Sequence, residues 1–513
     1  MDNNQTETPS YNRSNRGESA IRLSELASLF PFARLSGGDP ALAGLTTDSR
    51  KVAPNDLFLC LPGYTVDGHD YAAAAVERGA AALVVERQLP LDIPQLLVKD
   101  AHFASAVISN HLYGYPSDQL KVIGVTGTNG KTTTTTIIDY LLRAEGHGTG
   151  LMGTIRTVIA GQSYDTPNTT QEAAVLQRNF RAMADAGAGY GIMEVSSHAL
   201  DYGRVKGVRF RTAVFTNLTQ DHLDYHKTMD RYREAKGLLF SRLGNEFSAD
   251  PSRRQYAVLN ADDAASAYFA SLTSVHTLTY GIDQACDIRA EEVKLTNRGT
   301  EFRLVSYAGT ALVRTKLVGK FNVYNVLAAI AAVLLEGVPL ERIIRYLEGM
   351  PSVEGRMELV EEGQPFLALV DYAHSPDGLE NALSSIRQFA ENRVITVFGC
   401  GGDRDRTKRP IMAEIAARYS DHVILTSDNP RTEDPLAILA EIEAGLATLP
   451  SDRYEVIEDR RTAIKKAVEQ AGPGDVLLIA GKGHETYQEV NRVRHHFDDR
   501  EELRTAIKGA ENQ

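Results

Sequence analysis

"VIGVTGTNGKTTTTT", residues 122–136, decides the fold. Val122, Ile123 and Val125 make an apolar run short enough for a buried strand, Gly127 and Gly130 open a loop, and a Lys-Thr run starts a helix. Glycines there let backbone N–H groups turn inward around phosphate oxygens, at a helix N-terminus whose dipole favours anions. Lys131 is spaced to reach β- and γ-phosphates, and the Thr132 hydroxyl to hold Mg²⁺. Gly127, Thr128, Asn129, Gly130, Lys131, Thr132 and Thr133 are therefore candidate ATP ligands. The general phosphate-loop pattern has Gly where Val125 stands, so this loop is a variant. A turn with incidental Lys and Thr is the plain alternative, but the strand before and the helix after favour a nucleotide site. ATP hydrolysis, switching and ligation all stay open at this point.

Around that loop the chain runs to 513 residues, too many for one core, and predicts roughly three domains. With 43% hydrophobic and 24% charged residues it reads as soluble and globular. The excess of 67 Asp+Glu over 55 Lys+Arg argues against non-specific nucleic-acid or anionic-membrane binding, while leaving room for a local phosphate pocket. Cys60, Cys286 and Cys400 are too few and too scattered for a disulfide framework or a zinc site, which favours a reducing, cytoplasmic compartment. "MDNNQTETPSYNRSNRGES" (1–19) lacks a signal peptide's apolar core and reads as a disordered tail. "VLAAIAAVLL" (326–335) is half a membrane span and predicts a buried helix.

Three segments follow, all of α/β class. Residues 20–116 mix strands such as "DLFLCL" and "AALVV" with Ala-rich helices, ending at "YGYPSDQ" (113–119). In 117–350 the runs "KVIGVT", "GIMEVSS", "RTAVFTNL" and "YAVLN" alternate with helical stretches, the pattern of a parallel sheet covered on both faces, and 287–319 switches to antiparallel alternation. After "EGMPSVEGRME" (348–358), residues 351–513 read as a second doubly wound sheet. No repeat of solenoid length is visible.

The loop variant "GTNGKTT" resembles the Mur ligase family. So, in order, do "EVSSHAL" (194–200), "TNLTQDHLDYH" (216–226), "YREAKGLLF" (232–240), "GKFNVYNVLAA" (319–329), "EGRME" (354–358), "DYAHSPDGL" (371–379), "GCGGDRD" (399–405) and "GKGHE" (481–485). The resemblance covers nearly everything after residue 40. It implies a UDP-substrate domain at 20–116, a central ATPase at 117–350 and a C-terminal Rossmann-like amino-acid domain at 351–513. It also implies an ATP-dependent, ADP-forming amide ligase of peptidoglycan precursor synthesis, in which a carboxylate becomes an acyl phosphate that an amine attacks.

What the resemblance implies for single residues is specific. Lys131, Glu194, His222 and Lys236 are the catalytic set; Thr132, Glu194, His222 and a carbamylated Lys236 are the Mg²⁺ ligands. Burial favours the neutral lysine amine that takes up CO₂. Read without the family, Glu194 is a strand-end acid, His222 a structural histidine and Lys236 a solvated lysine. Asn322 and Asn325 resemble nucleotide contacts, as do Arg356 and Asp371, which the C-terminal domain brings to ATP on closing; His374 is expected to orient that hinge. "TTDSRKV" (46–52), with Ser49, resembles a uridine-binding turn beside "GYTVDGHDY" (63–71). Asn168, Thr169 and Thr170 of "TPNTTQE", with Ser196 and Arg204, resemble muramoyl-peptide contacts; Tyr202 departs from relatives that carry Gln there.

"DNPR" (428–431) resembles the diaminopimelate signature of one branch of the family. Arg404, Asp428, Asn429, Pro430, Arg431, Gly481 and Glu485 are then the diaminopimelate contacts, with Arg431 forking onto the far carboxylate and nearby acids attracting the ammonium. A turn is the plain reading of "TSDNPRTEDP". A lysine-adding relative, folylpolyglutamate synthase and a non-catalytic nucleotide switch are the competing readings. The expected partners are small molecules, with no nucleic acid and no membrane, and the protein is expected to be a monomer.

Overall fold

The computed structural model describes residues 21–63, 66–166, 168–244, 248–296, 299–447 and 449–511. The expected tail 1–19 lies outside the described residues, as do Tyr64, Thr65 and Pro167 of the two candidate substrate loops. The chain divides into two compact units, Met1–Thr279 and Tyr280–Gln513.

Among the described residues the first unit carries two larger sheets beside a two-stranded antiparallel pair, Ile21–Arg22 with Ala41–Leu42. The N-terminal one orders Arg34–Ser36, Gln95–Leu97, Ala82–Val85, Asp56–Leu59 and Gly44–Thr46, parallel except at its Arg34–Ser36 edge. In the second, Thr149–Met152, Tyr190–Glu194, Lys121–Thr126, Phe210–Phe215 and Tyr256–Asn260 are neighbours in that order and parallel. A short antiparallel extension, Thr157–Ile159 and Gln162–Tyr164, edges it. Its central strands are buried on both faces, which is why they read as unbroken apolar runs. Phe180, Met183, Phe240 and Phe269 from the covering helices fill the core with Val122, Met193 and Ala213.

In the second unit the strands Ile288–Thr296, Gly299–Ser306 and Gly309–Thr315 form the expected antiparallel meander. The helix Lys320–Leu334 contains the apolar 326–334 stretch, every residue of it buried. The C-terminal sheet orders Glu358–Leu359, Leu367–Asp371, Val476–Ala480, Val394–Phe398, His422–Leu425 and Tyr454–Val456, parallel after the first pair. Alternate strand residues face opposite layers: Leu369, Phe398 and Leu478 pack on Leu383 and Met412, whereas Val370, Val397 and Ile479 pack on Ile464 and Leu503. Each such buried side chain stabilises by about 1.5–3 kcal/mol. Among the described residues no helix is long and apolar enough to cross a membrane.

Candidate active site

In each unit the chemistry-bearing residues sit where parallel strands end at their C-terminal edge, the ligand-binding edge of open α/β sheets. In the first unit the strand Lys121–Thr126 runs into the phosphate loop, and the helix Lys131–Ala144 follows. Gly127 has φ +151°, and a Cβ there would stand 1.9 Å from Thr216 Oγ1, so only glycine admits the neighbouring strand end. That strand end pins the loop. Thr128 N donates to Asn217 O (2.8 Å), Asn129 N to Asn217 Oδ1 (2.9 Å), and Thr216 Oγ1 to Asn129 O (2.6 Å). Gly130, left-handed at φ +84°, caps the helix, and Thr132 and Thr133 are buried in its first turn.

Two lysines meet at this loop. Lys131 Nζ donates to Gly127 O (2.9 Å) and Thr128 O (2.8 Å), and Lys236 Nζ donates to the same Gly127 O at 2.9 Å. Lys236 projects from the helix Met229–Ser241, is 1% exposed, and lies 4.4 Å from the Tyr232 ring centroid. Desolvation, and then the Lys131 charge, drive its pKa well below the ordinary lysine value, against a smaller pull from Asp221. The solvated lysine of the plain reading is thus a buried amine poised to be neutral.

Glu194 ends its strand 1% exposed and accepts from Thr154 N (2.8 Å) and Thr154 Oγ1 (3.0 Å). Thr154 also shares a hydrogen bond with Thr169 Oγ1 (3.0 Å), which ties the 166–172 loop to the acid. Thr170 Oγ1 donates to Glu194 O (2.9 Å) and accepts from Ser196 N (3.0 Å). Arg204 donates to Thr170 O (3.0 Å) and pairs with Glu172 (2.6 Å). Ser196 Oγ caps the turn of helix at Ser197–Asp201. The exposed Asn168 offers its carbonyl to Thr166 Oγ1, and Tyr202 lies against the His102 ring at 5.4 Å. Glu194, Thr169, Thr170, Ser196 and Arg204 therefore form one network. Ser49 belongs to a separate turn, Ser49–Lys51, capped by Asp48 beyond the strand Gly44–Thr46.

His222 is left-handed (φ 55°), with its side chain 45% exposed and its ring 4.8 Å from His198. Burial, with His222 and His226 nearby, holds the His198 imidazole down at about 4. Among the described residues no three His, Cys, Asp or Glu side chains cluster to hold a metal by themselves. Glu194, His222 and the Thr132 hydroxyl are nonetheless donors that a divalent metal accepts, and an acidic group on Lys236 would complete such a set.

In the second unit Asn322 and Asn325 are buried near the start of the helix Lys320–Leu334, where Asn325 Nδ2 donates to Asn322 Oδ1 (3.0 Å). Asp371 accepts from Met357 N (2.6 Å); burial pushes its carboxyl up while Arg356 and that N–H pull it down. Arg356 stacks over Tyr372 at 4.8 Å, and His374 Nδ1 hydrogen-bonds Tyr372 O at 2.8 Å.

The loops at 399–405, 426–431 and 481–485 converge beyond the C-terminal sheet. Gly402 N donates to Asn429 O (2.9 Å), and Arg431 Nη1 donates to Gly402 O (2.8 Å). Arg431 is left-handed (φ 53°), held by its N–H on Glu489 O (3.0 Å) and its carbonyl on Asn491 N (2.6 Å). Gly481, at φ +119°, leaves room for Asp428 Oδ2, which lies 2.5 Å from where a Cβ would sit. Asn429 Nδ2 donates to Glu485 Oε2 (2.8 Å). Pro430 is buried and Arg404 exposed, its guanidinium on Asp403 O (3.1 Å).

Several participants escape a sequence reading. Thr154 has no pattern to mark it, and Asn217 stands within "TNLTQDHLDYH" without being singled out. Lys482 lies within "GKGHE", so a motif pointed at it. Arg460 and Asp499, a fully buried pair with two 2.7 Å bonds, link Ala480 O to the start of the helix Asp499–Glu511.

Three family models match the chain: Mur ligase family, catalytic domain, over residues 41–116; Mur ligase middle domain over 125–333; and Mur ligase, glutamate ligase domain, over 355–483. The UDP-N-acetylmuramoyl-L-alanyl-D-glutamate--2,6-diaminopimelate ligase of Geobacillus kaustophilus is 53% identical, covering 92% of this chain and 96% of its own. That of Bacillus cereus is 50% identical, covering 94% and 98%. A solved structure of a ligase of the same name is 35% identical with a TM-score of 0.68, covering 96% of this chain and all of its own. A folylpolyglutamate synthase of Mycobacterium tuberculosis shares the fold at 17% identity and TM-score 0.59, over 74% of this chain and 92% of its own.

Proposed function

The chain belongs to the Mur ligase family, and on that premise we propose that it is an ATP-dependent ligase joining meso-diaminopimelate to UDP-N-acetylmuramoyl-L-alanyl-D-glutamate in cytoplasmic peptidoglycan precursor synthesis. Family members are ADP-forming amide ligases with the three-domain architecture. The observation that carries the substrate reading is the convergence at one sheet edge of the loop bearing Asp428, Asn429 and Arg431 with the loop bearing Glu485. It offers a cation for one carboxylate and acids for one ammonium, the two charges at the far end of a diamino dicarboxylic acid. Lysine lacks that carboxylate, and folylpolyglutamate synthase is matched only at fold level. Neither alternative is favoured.

In this reading residues 20–116 hold the uridine end through Ser49, residues 117–350 the ATP, and residues 351–513 the amino acid. The phosphate-loop N–H groups and Lys131 bind the β- and γ-phosphates. Asn322, Asn325, Arg356 and Asp371 are assigned to the nucleotide. Asn168, Thr169, Thr170, Ser196 and Arg204 hold the peptide, and the Thr154 bridge brings that loop to Glu194. A γ-carboxylate oxygen of D-glutamate attacks the γ-phosphorus and ADP leaves. The diaminopimelate amine then attacks the acyl carbon, phosphate departs, and the nitrogen gives up a proton. Thr132, Glu194, His222 and carbamylated Lys236 would hold Mg²⁺, which would supply charge neutralisation at the transferring phosphoryl group. The carbamate forms when the neutral Lys236 amine adds to CO₂ and releases one proton; its burial beside Lys131 supports that step.

The test is ADP release with the muramoyl-dipeptide substrate and either meso-diaminopimelate or L-lysine. Turnover with diaminopimelate at least about a hundredfold above lysine is expected from the loss of one buried charge pair. Equal rates overturn the amino-acid assignment and leave ligation standing; no ADP release with either overturns both.

A further inference from the structure

Lys482 is a buried cation bonded into the amino-acid cage to which the reading above gives no task. It is 0% exposed. Its Nζ donates to Asn429 Oδ1 (3.1 Å) and Glu485 Oε2 (3.3 Å) and lies 3.9 Å from Asp428 Oδ1. The Tyr487 ring covers it at 5.6 Å. Its hydrogen-bond and ion-pair partners Asn429, Glu485 and Asp428 are all residues assigned to the incoming amino acid.

We propose that Lys482 is a positioning residue that sets the charge and the shape of the ammonium end of this cage, so that it admits a single ammonium paired with a carboxylate. The inference rests on the ligase reading above. The shape argument begins at Asn429. Its Oδ1 accepts from Lys482 Nζ and from Glu489 N (2.9 Å), which forces its Nδ2 toward Glu485 Oε2. With the amide fixed in that sense, Glu485 Oε2 is engaged by both Asn429 and Lys482, and Oε1 is left as the oxygen for a ligand ammonium. Gln488 Nε2 donates to the Asp428 main-chain O (2.8 Å), which fixes the backbone of the second acid, and Gly481 leaves room for its carboxylate.

By formal charge, Asp428 and Glu485 against Lys482 give net −1 at the ammonium end, while Arg431 gives +1 at the carboxylate end. A zwitterionic amino-acid terminus matches both ends at once, whereas without Lys482 two buried carboxylates would face one ammonium. Burial, reinforced by Asp428, already pushes the Glu485 carboxyl up, and Lys482 and Asn429 oppose it. Tyr372, Tyr487 and the buried Arg460 also face this group, and none of them replaces the bonded Lys482.

The experiment is steady-state ADP release by the full chain, with KM measured for each substrate in Lys482→Met, Lys482→Gln and the double variant Lys482→Met/Glu485→Gln. Removing one partner of a buried charged group predicts a rise in KM for meso-diaminopimelate of at least about 30-fold in Lys482→Met, with KM for ATP and for the muramoyl substrate within about twofold. The double variant restores the net −1 and is expected to bind diaminopimelate no worse than Lys482→Met alone, which a purely additive loss at Glu485 would not give. Lys482→Gln keeps a donor to Asn429 without the charge. An intermediate KM supports both arguments, and it also supplies the answer if Lys482→Met does not fold. A diaminopimelate KM within about threefold of wild type in both single variants overturns the role, as does a fall in kcat with all three KM values unchanged. If the wild type itself shows no diaminopimelate-dependent ADP release, the functional reading has failed and not this one alone.

Discussion

Replacing Lys236 by alanine separates folding from chemistry at the phosphate loop. The side chain is buried and its amine shares the Gly127 carbonyl with Lys131. An exposed lysine, with a pKa near 10.4, keeps only about one amine in 2,500 unprotonated at pH 7, and each unit of depression multiplies that share by ten. Desolvation and the Lys131 charge supply such a depression. The substitution removes three methylenes, worth about 2.4 kcal/mol of burial at 0.8 each. It also removes a desolvated amine, and relief of that desolvation offsets part of the loss. Stability should therefore change little. Turnover should not survive, because loss of a group that organises charge at the reacting centre costs about 10²–10³-fold. The assay is ADP release alongside a denaturant melt, with acetate or formate added to occupy the vacated space as a replacement carboxylate. Partial rescue by these anions, together with a carbamate carbon signal from ¹³C-bicarbonate in wild type and none in the variant, is the expected outcome. A Lys236→Ala protein that turns over within about threefold of wild type would refute the reasoning.

Other expectations are shorter. Gly127→Ala should abolish ATP binding by calorimetry, since its Cβ would meet Thr216 Oγ1 at 1.9 Å and its φ is +151°; binding as tight as wild type would contradict the close approach. Arg460→Met should lower unfolding free energy by about 3–5 kcal/mol by stranding Asp499, and adding Asp499→Leu should recover much of it in denaturant titrations. Asp67 gives a pH test. Burial raises its carboxyl, but the His69 N–H and ring and Arg87 outweigh that and hold it at about 2. A carboxyl depressed in the folded state adds stability that is fully present above its unfolded pKa of about 3.9 and disappears as pH falls toward 2. Asp67→Asn should cost about 1–2 kcal/mol at pH 7, allowing for its partial exposure, with the two proteins converging between pH 4 and pH 2. A difference that stays constant with pH would assign the loss to packing.

Much of the architecture was legible in the chain alone. The apolar run, glycines and Lys-Thr start at 122–136 specify strand, loop and helix because each is a local preference with its own period. The unbroken apolar strands predicted parallel sheets and the alternation after 287 an antiparallel meander, and both are observed; of the buried helix expected over 326–335, residues 326–334 are helical and buried, with Leu335 the half-buried C-cap. The ordered motifs also carried the family. What tertiary structure alone decided is which of these loops meet and how dry they are. Nothing local to Lys236 says that its helix face turns inward against Gly127, since burial depends on the layer packed over it. Thr154 finds Glu194 forty positions away because the strand just before it, Thr149–Met152, is the sheet neighbour of Tyr190–Glu194, a consequence of strand order rather than of either stretch. Lys482 was printed in a motif from the start, yet its burial among Asp428, Asn429 and Glu485 arises only when strands 422–425 and 476–480 end at the same edge of one sheet. Sequence sets the pieces by short-range geometry. Desolvation and charge matching, the terms that make a site selective, exist only once distant pieces exclude water together.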